Sequence, residues 1–428
     1  MSAEPSGCGP GRSLVDDCVH CGFCLPTCPT YLLTGDEAES PRGRILLMKQ
    51  DAAGAELTPT VAGHFDSCLG CLACVSACPS GVRYDRLIEA TRISVEQRHP
   101  RNRRERLLRA VIFTLFPYPR RLRPLLGPLR LYQRSGLDRL VRRVLTRLSP
   151  TLAAMESLAP PLGPAVPLPT LVPALGQRRA RVGMLTGCVQ RSFFPGVNAA
   201  TTRVLAAEGC EVLIPAAQGC CGSLSLHVGR EEEAKRFARA LIDTFVPAGT
   251  GPTVDFLVVN VAGCGAGIKE YAELLAGDPG YAARAAELTE RTRDVSELLA
   301  ELGPVAPRHP LPLSVAYHDA CHLANAQRIK VQPRQLLTGV PGLKLREITE
   351  ADICCGSAGV YNLLQPVPAR ELGDRKASHV AATGADLMVT ANPGCLLQIR
   401  AALERAGTPM RVAHVVEVLD AAISGRPL

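Results

Sequence analysis

Two cysteine runs of identical spacing, C-x2-C-x2-C-x3-C-P, stand fifty residues apart: Cys18, Cys21, Cys24 and Cys28 before Pro29, then Cys68, Cys71, Cys74 and Cys78 before Pro79. Thiolates at this spacing hold [4Fe–4S] clusters, and in two-cluster ferredoxins the fourth cysteine of each run ligates the other run's cluster. The expected ligand sets are Cys18, Cys21, Cys24 and Cys78 for one cluster and Cys28, Cys68, Cys71 and Cys74 for the other. Zinc also takes cysteine pairs, but two pairs satisfy it, and it has no use for a third evenly spaced cysteine or a trailing proline. A disulfide framework suits short secreted chains. This chain has 428 residues, and its opening, MSAEPSGCGPGRSL, lacks a basic stretch followed by an apolar one, so a cytoplasmic protein is expected. Cys8 lies outside both runs and reads as a bystander. The chemistry expected of the runs is one-electron transfer.

A second constellation lies downstream. Cys188, Cys220, Cys221 and Cys264 are followed by Cys321, Cys354, Cys355 and Cys395, at offsets of 133, 134 and 131 residues, with 134 shared by the adjacent pair. Each set contains Cys-Cys-Gly and ends on Gly-Cys. Where such a thiol stands at a helix N-terminus its pKa falls and backbone N–H groups face it, so all eight are candidate cluster ligands or redox thiols. The plainer alternative is cysteine as a small apolar core residue. His318 and His322 flank Cys321, and His227 follows Cys221 by six; each could ligate metal or move a proton, or simply hold structure through hydrogen bonds. Lys269 and Arg328 could face an anionic cluster or face water.

The elements that must position these thiols follow from hydrophobic patterning. Between the runs, Arg44–Lys49 reads as helix, as does Tyr84–Arg98 after them, so residues 1–98 are expected to form an all-α two-cluster domain. From residue 178 onward short apolar runs alternate with helical patterns, twice. Strands are expected at Arg181–Thr186, Val212–Pro215 and Phe256–Asn260, with counterparts at Ser314–Tyr317, Leu343–Ile348 and Leu387–Ala391. The helices between them are expected at Pro195–Glu208 and Arg230–Phe245, then at Pro333–Thr338 and Ala369–Ala382. This is a duplicated α/β architecture, over 178–305 and 306–428.

Residues 99–177 differ in kind. From 98 to 147 there are fifteen arginines against Glu105 and Asp138, an excess larger than the whole chain's net charge of +8. Leu107, Leu108, Val111, Ile112, Leu115 and Phe116 recur at helical spacing, as do Leu137, Leu140, Val141, Val144, Leu145 and Leu148. Pro117, Pro119, Pro124 and Pro128 lie between the two stripes and are expected to end the first helix and prevent a single long one. Seven prolines in 150–173 suggest a stiff linker. An apolar stripe opposed by arginine suits peripheral contact with an anionic membrane, or docking on a partner, through 101–148. No apolar run is long enough to span a membrane. Aromatics are 4% of the chain with no Trp, which argues against nucleic-acid binding. No glycine fingerprint for a dinucleotide and no phosphate-loop lysine motif is present. Two-electron oxidation of an organic substrate therefore needs a flavin or nicotinamide carried elsewhere.

The paired C…CCG…GC pattern resembles the cysteine-rich CCG domains of heterodisulfide reductases. With the twin runs ahead of it, the chain as a whole is similar to the iron–sulfur subunits of glycolate oxidase. The likeness rests also on Glu39-Ser40-Pro41-Arg42-Gly43-Arg44, Ala262-Gly263-Cys264-Gly265-Ala266, Cys354-Cys355-Gly356-Ser357-Ala358-Gly359 and Ala391-Asn392-Pro393-Gly394-Cys395. It implies an electron-transfer subunit with no catalytic residue of its own for hydroxy-acid oxidation. A separate flavoprotein subunit would oxidise glycolate to glyoxylate, and a quinone-type acceptor would receive the electrons at the inner face of the cell membrane. Iron–sulfur subunits of lactate and glycerol-3-phosphate dehydrogenase systems share the architecture. A thiol/disulfide reductase and a zinc-stabilised scaffold are the alternatives from other classes. One departure is plain: full CCG domains close on Cys-x-x-Cys, and here Val261 and Asn392 hold the upstream positions, so each repeat is one thiol short of the reductase set.

Overall fold

The computed structural model describes residues 12–148, 153, 156–160, 162–163, 166–249 and 253–428. Cys8 and part of the proline-rich stretch lie outside the described residues.

The N-terminal region is helical: Pro29–Thr34, Pro41–Ala52, Pro59–Ser67, Ala73–Ala77 and Tyr84–Arg98. Three of these open on proline, whose missing N–H costs nothing in a first turn. Ser40 and Thr58 cap two of them, accepting from the Gly43 and Val61 N–H groups. Ile45, Met48, Phe65, Leu87, Ile88 and Val95 close a small core beneath the cysteine loops.

The basic region forms Arg103–Leu115, Pro119–Arg134 and Leu137–Leu148. The first helix stops short of Pro117, as the prolines suggest. No single long helix forms, and Pro119 starts a second one, which runs through Pro124 and Pro128. Both prolines face water, so carbonyls left without an N–H partner are met by solvent. The proline-rich stretch does not stand free as a linker either. Ser157 is buried, Glu156 pairs with Arg142 at 2.7 Å, and the Ala159 carbonyl accepts from Arg400 at 3.3 Å.

Two sheets follow. The first holds β1 (Leu171–Val172), β2 (Ala180–Leu185), β3 (Cys210–Leu213), β4 (Phe256–Val259) and β5 (Thr292–Asp294), in the order β1-β3-β2-β4-β5. All but the edge strand β1 are parallel. The second holds β6 (Ser314–Tyr317), β7 (Lys344–Arg346), β8 (Leu387–Thr390) and β9 (Arg411–His414), all parallel, in the order β7-β6-β8-β9. The strands after β1 thus repeat one topology. The two units also share a core. Helix Pro195–Ala207 of the first packs on Val415–Ser424 of the second, and Val331–Thr338 of the second packs on Val295–Leu302 of the first. The closing strands β5 and β9, three and four residues long, were not anticipated from sequence.

Candidate metal centres

Each ferredoxin-type run is folded back by two left-handed residues. They are His20 (φ 54°) and Gly22 (φ 88°) in the first loop and Gly70 (φ 64°) and Leu72 (φ 60°) in the second, the same two places in each run. A left-handed histidine or leucine is strained by about 1–3 kcal/mol. Its recurrence at matched positions shows that loop shape, not local preference, is being kept. The loops bring the cysteines together across the runs. Cys18, Cys21, Cys24 and Cys78 line one small cavity and Cys28, Cys68 and Cys71 another; Cys74 and Tyr84 border both. Cys21 at the first cavity is exposed, whereas Cys28, Cys68, Cys71 and Cys74 are buried.

The Ser-Pro-Arg-Gly-Arg phrase serves both cavities. Arg42 donates to the His20 carbonyl at 3.1 Å while paired with Glu37. Arg44, 1% exposed, donates to the Glu39 and His64 carbonyls at 2.6 Å each and pairs with the Glu39 carboxylate at 2.5 Å. Between these arginines, a Cβ on Gly43 would lie 1.8 Å from the Glu37 carbonyl oxygen, so only glycine fits. Burial pushes the Cys68 thiol up, but Arg44 and Arg92 outweigh it and hold the thiol below its usual value. Each cavity therefore offers soft sulfur donors beside one guanidinium and no carboxylate. That donor set fits an anionic thiolate-bound iron–sulfur cluster and suits calcium or magnesium poorly.

In the α/β units the cysteines stand at the carboxyl ends of strands. Cys188 precedes the helix Val189–Phe193 after β2, Cys220-Cys221 follow β3, and Cys264 is the third residue of the helix Ala262–Lys269 after β4. Cys321, Cys354, Cys355 and Cys395 take the matching places after β6, β7 and β8. The order reverses between β2 and β4 in the first sheet and between β6 and β8 in the second, and in open α/β sheets such a switch point is where ligands bind. All eight thiols line a single cavity of about 360 Å³ between the units. Within the first set, the sulfurs of Cys188 and Cys220 are 3.5 Å apart. Hydrogen bonds from Cys220 and Cys264 hold the Cys221 thiol well below its usual value.

The second ferredoxin-type cavity abuts this site. Asn325 donates to the Cys71 carbonyl at 3.1 Å, and Leu69, Cys71 and Ala73 pack with Cys354, Tyr361 and Leu372. Arg92 bridges the Cys68 and His227 carbonyls, the latter at 2.9 Å. A Cβ on Gly229 would come 2.2 Å from the Arg92 carbonyl oxygen, so the two regions meet backbone to backbone there. His227 and His322 pack with ring centroids 4.9 Å apart and planes tilted by 51°, and the His322 Nδ1 lies 3.5 Å from the Cys321 sulfur. Lys269 is taken up by Glu297 at 2.7 Å, and Arg328 is exposed. Asn325, Arg92 and Gln190, whose buried amide lines the thiol cavity without a partner, carry no sequence signal of their own. Cys210, overlooked in the sequence, lies buried in β3 away from both sets; burial pushes its thiol up to about 11.

Comparison with known proteins agrees in order and extent. Residues 14–82 match a 4Fe-4S dicluster domain, 104–159 the linker region of the glycolate oxidase iron–sulfur subunit, and 182–269 and 315–400 a cysteine-rich domain. A probable glycolate oxidase iron–sulfur subunit of Bacillus subtilis is 39% identical over 415 residues, covering 94% of this chain and 93% of its own. The glycolate oxidase iron–sulfur subunit of Escherichia coli is 36% identical over 413 residues, covering 96% and 95%. Lactate utilization protein A of Shouchella clausii is 33% identical over 245 residues, 56% of this chain and 98% of its own. A crystal structure of a hypothetical protein from Helicobacter pylori shares the fold, with a TM-score of 0.57 at 9% identity, covering 92% of this chain and 70% of that one. With a dicluster domain, the subunit's own linker and two cysteine-rich domains in this order, the chain belongs to the glycolate oxidase iron–sulfur subunit family.

Proposed function

We propose that this chain relays electrons singly from a flavin on a partner subunit, where glycolate becomes glyoxylate, towards a quinone-type acceptor. The observation that carries the reading is a set of thiols lining three neighbouring cavities. It runs from exposed Cys21, through the shared wall of the two small cavities at Cys74, to Cys71 packed against Cys354 at the thiol cavity. Oxidation of glycolate releases two electrons and two protons. Bound at the two cysteine sets, Cys18, Cys21, Cys24, Cys78 and Cys28, Cys68, Cys71, Cys74, [4Fe–4S] clusters supply one-electron steps, so the pair can take both electrons. The chain's own residues hold the two sets in register through Arg42 and Arg44 and fix the second set against the α/β units through Asn325 and Arg92. Oxidation of the hydroxy acid belongs to the partner.

Membrane contact is part of the same reading. Among the described residues no helix is long and apolar enough to cross a membrane. Leu137, Leu140, Val144 and Leu148 nevertheless lie exposed along one helix, with Arg143 and Arg147 beside them. This is the composition of a helix resting in an anionic interface. Loss of partition onto anionic vesicles in the full-length Leu140→Glu/Val144→Glu protein supports that role; unchanged partition removes it.

The test of the relay is anaerobic addition of glycolate to the native complex, followed by electron paramagnetic resonance. Reduced-cluster signals are expected in the complex and not in the isolated chain. Flavin reduction with no cluster signal contradicts the reading, as does turnover of a disulfide substrate by the isolated chain.

A further inference from the structure

The two thiol sets have matching backbones and different neighbours. Val182 pairs with Phe256 in the first sheet and Val315 with Leu387 in the second, so three residues on, Leu185 corresponds to His318. Gly222 packs on Ala234 and Gly356 on Ala369, so seven residues on, Leu241 corresponds to Lys376. In the first unit Leu185 and Leu241 pack with Cys221 in one apolar cluster. In the second, His318 stands with Cys355 and Cys395, their ligand atoms all within 4.8 Å of one another. His318 is 1% exposed, and its Nδ1 has no hydrogen-bond partner. A buried polar atom left unpaired is costly, so the free Nδ1 points to a missing partner. Lys376, 2% exposed, gives its ammonium only a carbonyl, that of Glu350, and its positive field falls on Cys354 and Cys355.

We infer that the second α/β unit, and not the first, holds a third iron–sulfur centre, with Cys321, Cys354, Cys355 and Cys395 as thiolates and His318 as its imidazole ligand. The inference rests on reading the chain as a relay. Thiolate and imidazole suit zinc as well as iron–sulfur clusters. The position decides between them: Cys354 packs on Cys71, at the inner end of the relay's thiols, where a redox-inert ion would end the path. Lys376 supplies the opposite charge that a buried set of thiolates requires. The first unit has leucines at both places; its cavity-lining His227 packs on His322 and its Arg191 acts on Cys188, so among the described residues no close set of three donors forms there, and its thiols stay metal-free.

The test uses the full chain purified anaerobically. Iron is expected above the about eight atoms that two [4Fe–4S] clusters account for. Pulsed electron paramagnetic resonance is expected to show a nitrogen coupling of imidazole size on a signal separate from those of the ferredoxin domain. His318→Leu, which copies the first unit, should remove that coupling and leave the ferredoxin signals in place. Should the variant not fold, ¹⁵N-histidine labelling of the unaltered protein must change the coupling instead. Iron at about eight, zinc in the second unit, or a coupling that survives His318→Leu overturns the inference. Ferredoxin signals without the third centre defeat this inference alone, whereas their absence defeats the relay.

Discussion

The two α/β units keep the same backbone and differ in what surrounds their sulfurs. Gly222 and Gly356 sit at φ 81° and 86°, where a Cβ would press on the carbonyl oxygens of Ala234 and Ala369. Both units end on a short strand whose last residue caps the next helix through a capping box, Asp294 in one and His414 in the other. Around the thiols the side chains diverge: Leu185 against His318, Leu241 against Lys376, Val189 against His322. Duplication has preserved positions that only one backbone shape can satisfy and released those where chemistry can be added. The units share a core and both touch the ferredoxin-type domain, the first through His227 and Gly229 at Arg92, the second through Cys354 and Asn325 at the Cys71 loop.

The sharpest way to break this asymmetry is to remove one thiol on each side of it. Loss of an outer hydrogen-bond partner of a metal ligand costs about 10–100-fold. Cys395→Ser, in the second unit, should therefore slow glycolate-driven acceptor reduction by the complex by more than about 10-fold, while Cys264→Ser, its counterpart in the first unit, changes it by less than about threefold. Equal losses would make the units equivalent.

Next in size is the buried arginine that steadies the cysteine runs. Arg44→Ala leaves the Glu39 carboxylate with only His64 and Ser67 and should cost up to about 3–5 kcal/mol. The expected signature is bleaching of the iron–sulfur chromophore at lower temperature, ahead of unfolding of the α/β units.

The matched caps should respond to pH with opposite sign. Burial lowers His414 from 6.5 to about 4, so its contribution is complete above pH 6.5 and is lost as pH falls towards 4. Burial raises Asp294 from 3.8 to about 6, so its contribution is complete below pH 3.8 and is lost as pH rises through 6. Each spans roughly 3 kcal/mol. Asp294→Asn keeps the cap and should raise the thermal midpoint at pH 7, a gain that shrinks towards pH 4. His414→Asn should instead flatten the loss of stability between pH 6.5 and 5. A midpoint for Asp294→Asn that moves equally at every pH contradicts the assignment.

The smallest effect concerns the glycines after the adjacent cysteines. Alanine at either is strained by about 1–3 kcal/mol. The approach to the carbonyl oxygen is 2.6 Å at Gly356 and 3.0 Å at Gly222, so Gly356→Ala should be the more damaging of the two in thermal unfolding. The reverse order would mean that the second unit yields more easily than its packing indicates.

What could be read from the sequence was whatever covalent spacing dictates. The cysteine runs, the constant offsets and the strand–helix alternation are local or periodic, and the α/β strands lie within a few residues of expectation. The helix through Pro124 and Pro128 was not legible, because proline's penalty depends on whether water reaches the freed carbonyls. The left-handed His20 and Leu72 are equally silent, since nothing about those residue types favours that backbone. The packing of Cys71 on Cys354 and the hydrogen bond from Asn325 join residues more than 250 positions apart, and only the tertiary fold brings them together. His318 was visible as a neighbour of Cys321, but its place beside Cys355 and Cys395 follows from strand register.

The relay stands or falls on the two small cavities that share Cys74 and Tyr84. Dithionite reduction of the anaerobically purified chain, read by electron paramagnetic resonance, tests them directly. Two [4Fe–4S] signals broadened by mutual spin coupling are the expected result, because the cavities share a wall. Two uncoupled signals, or a colourless protein carrying zinc, would contradict it.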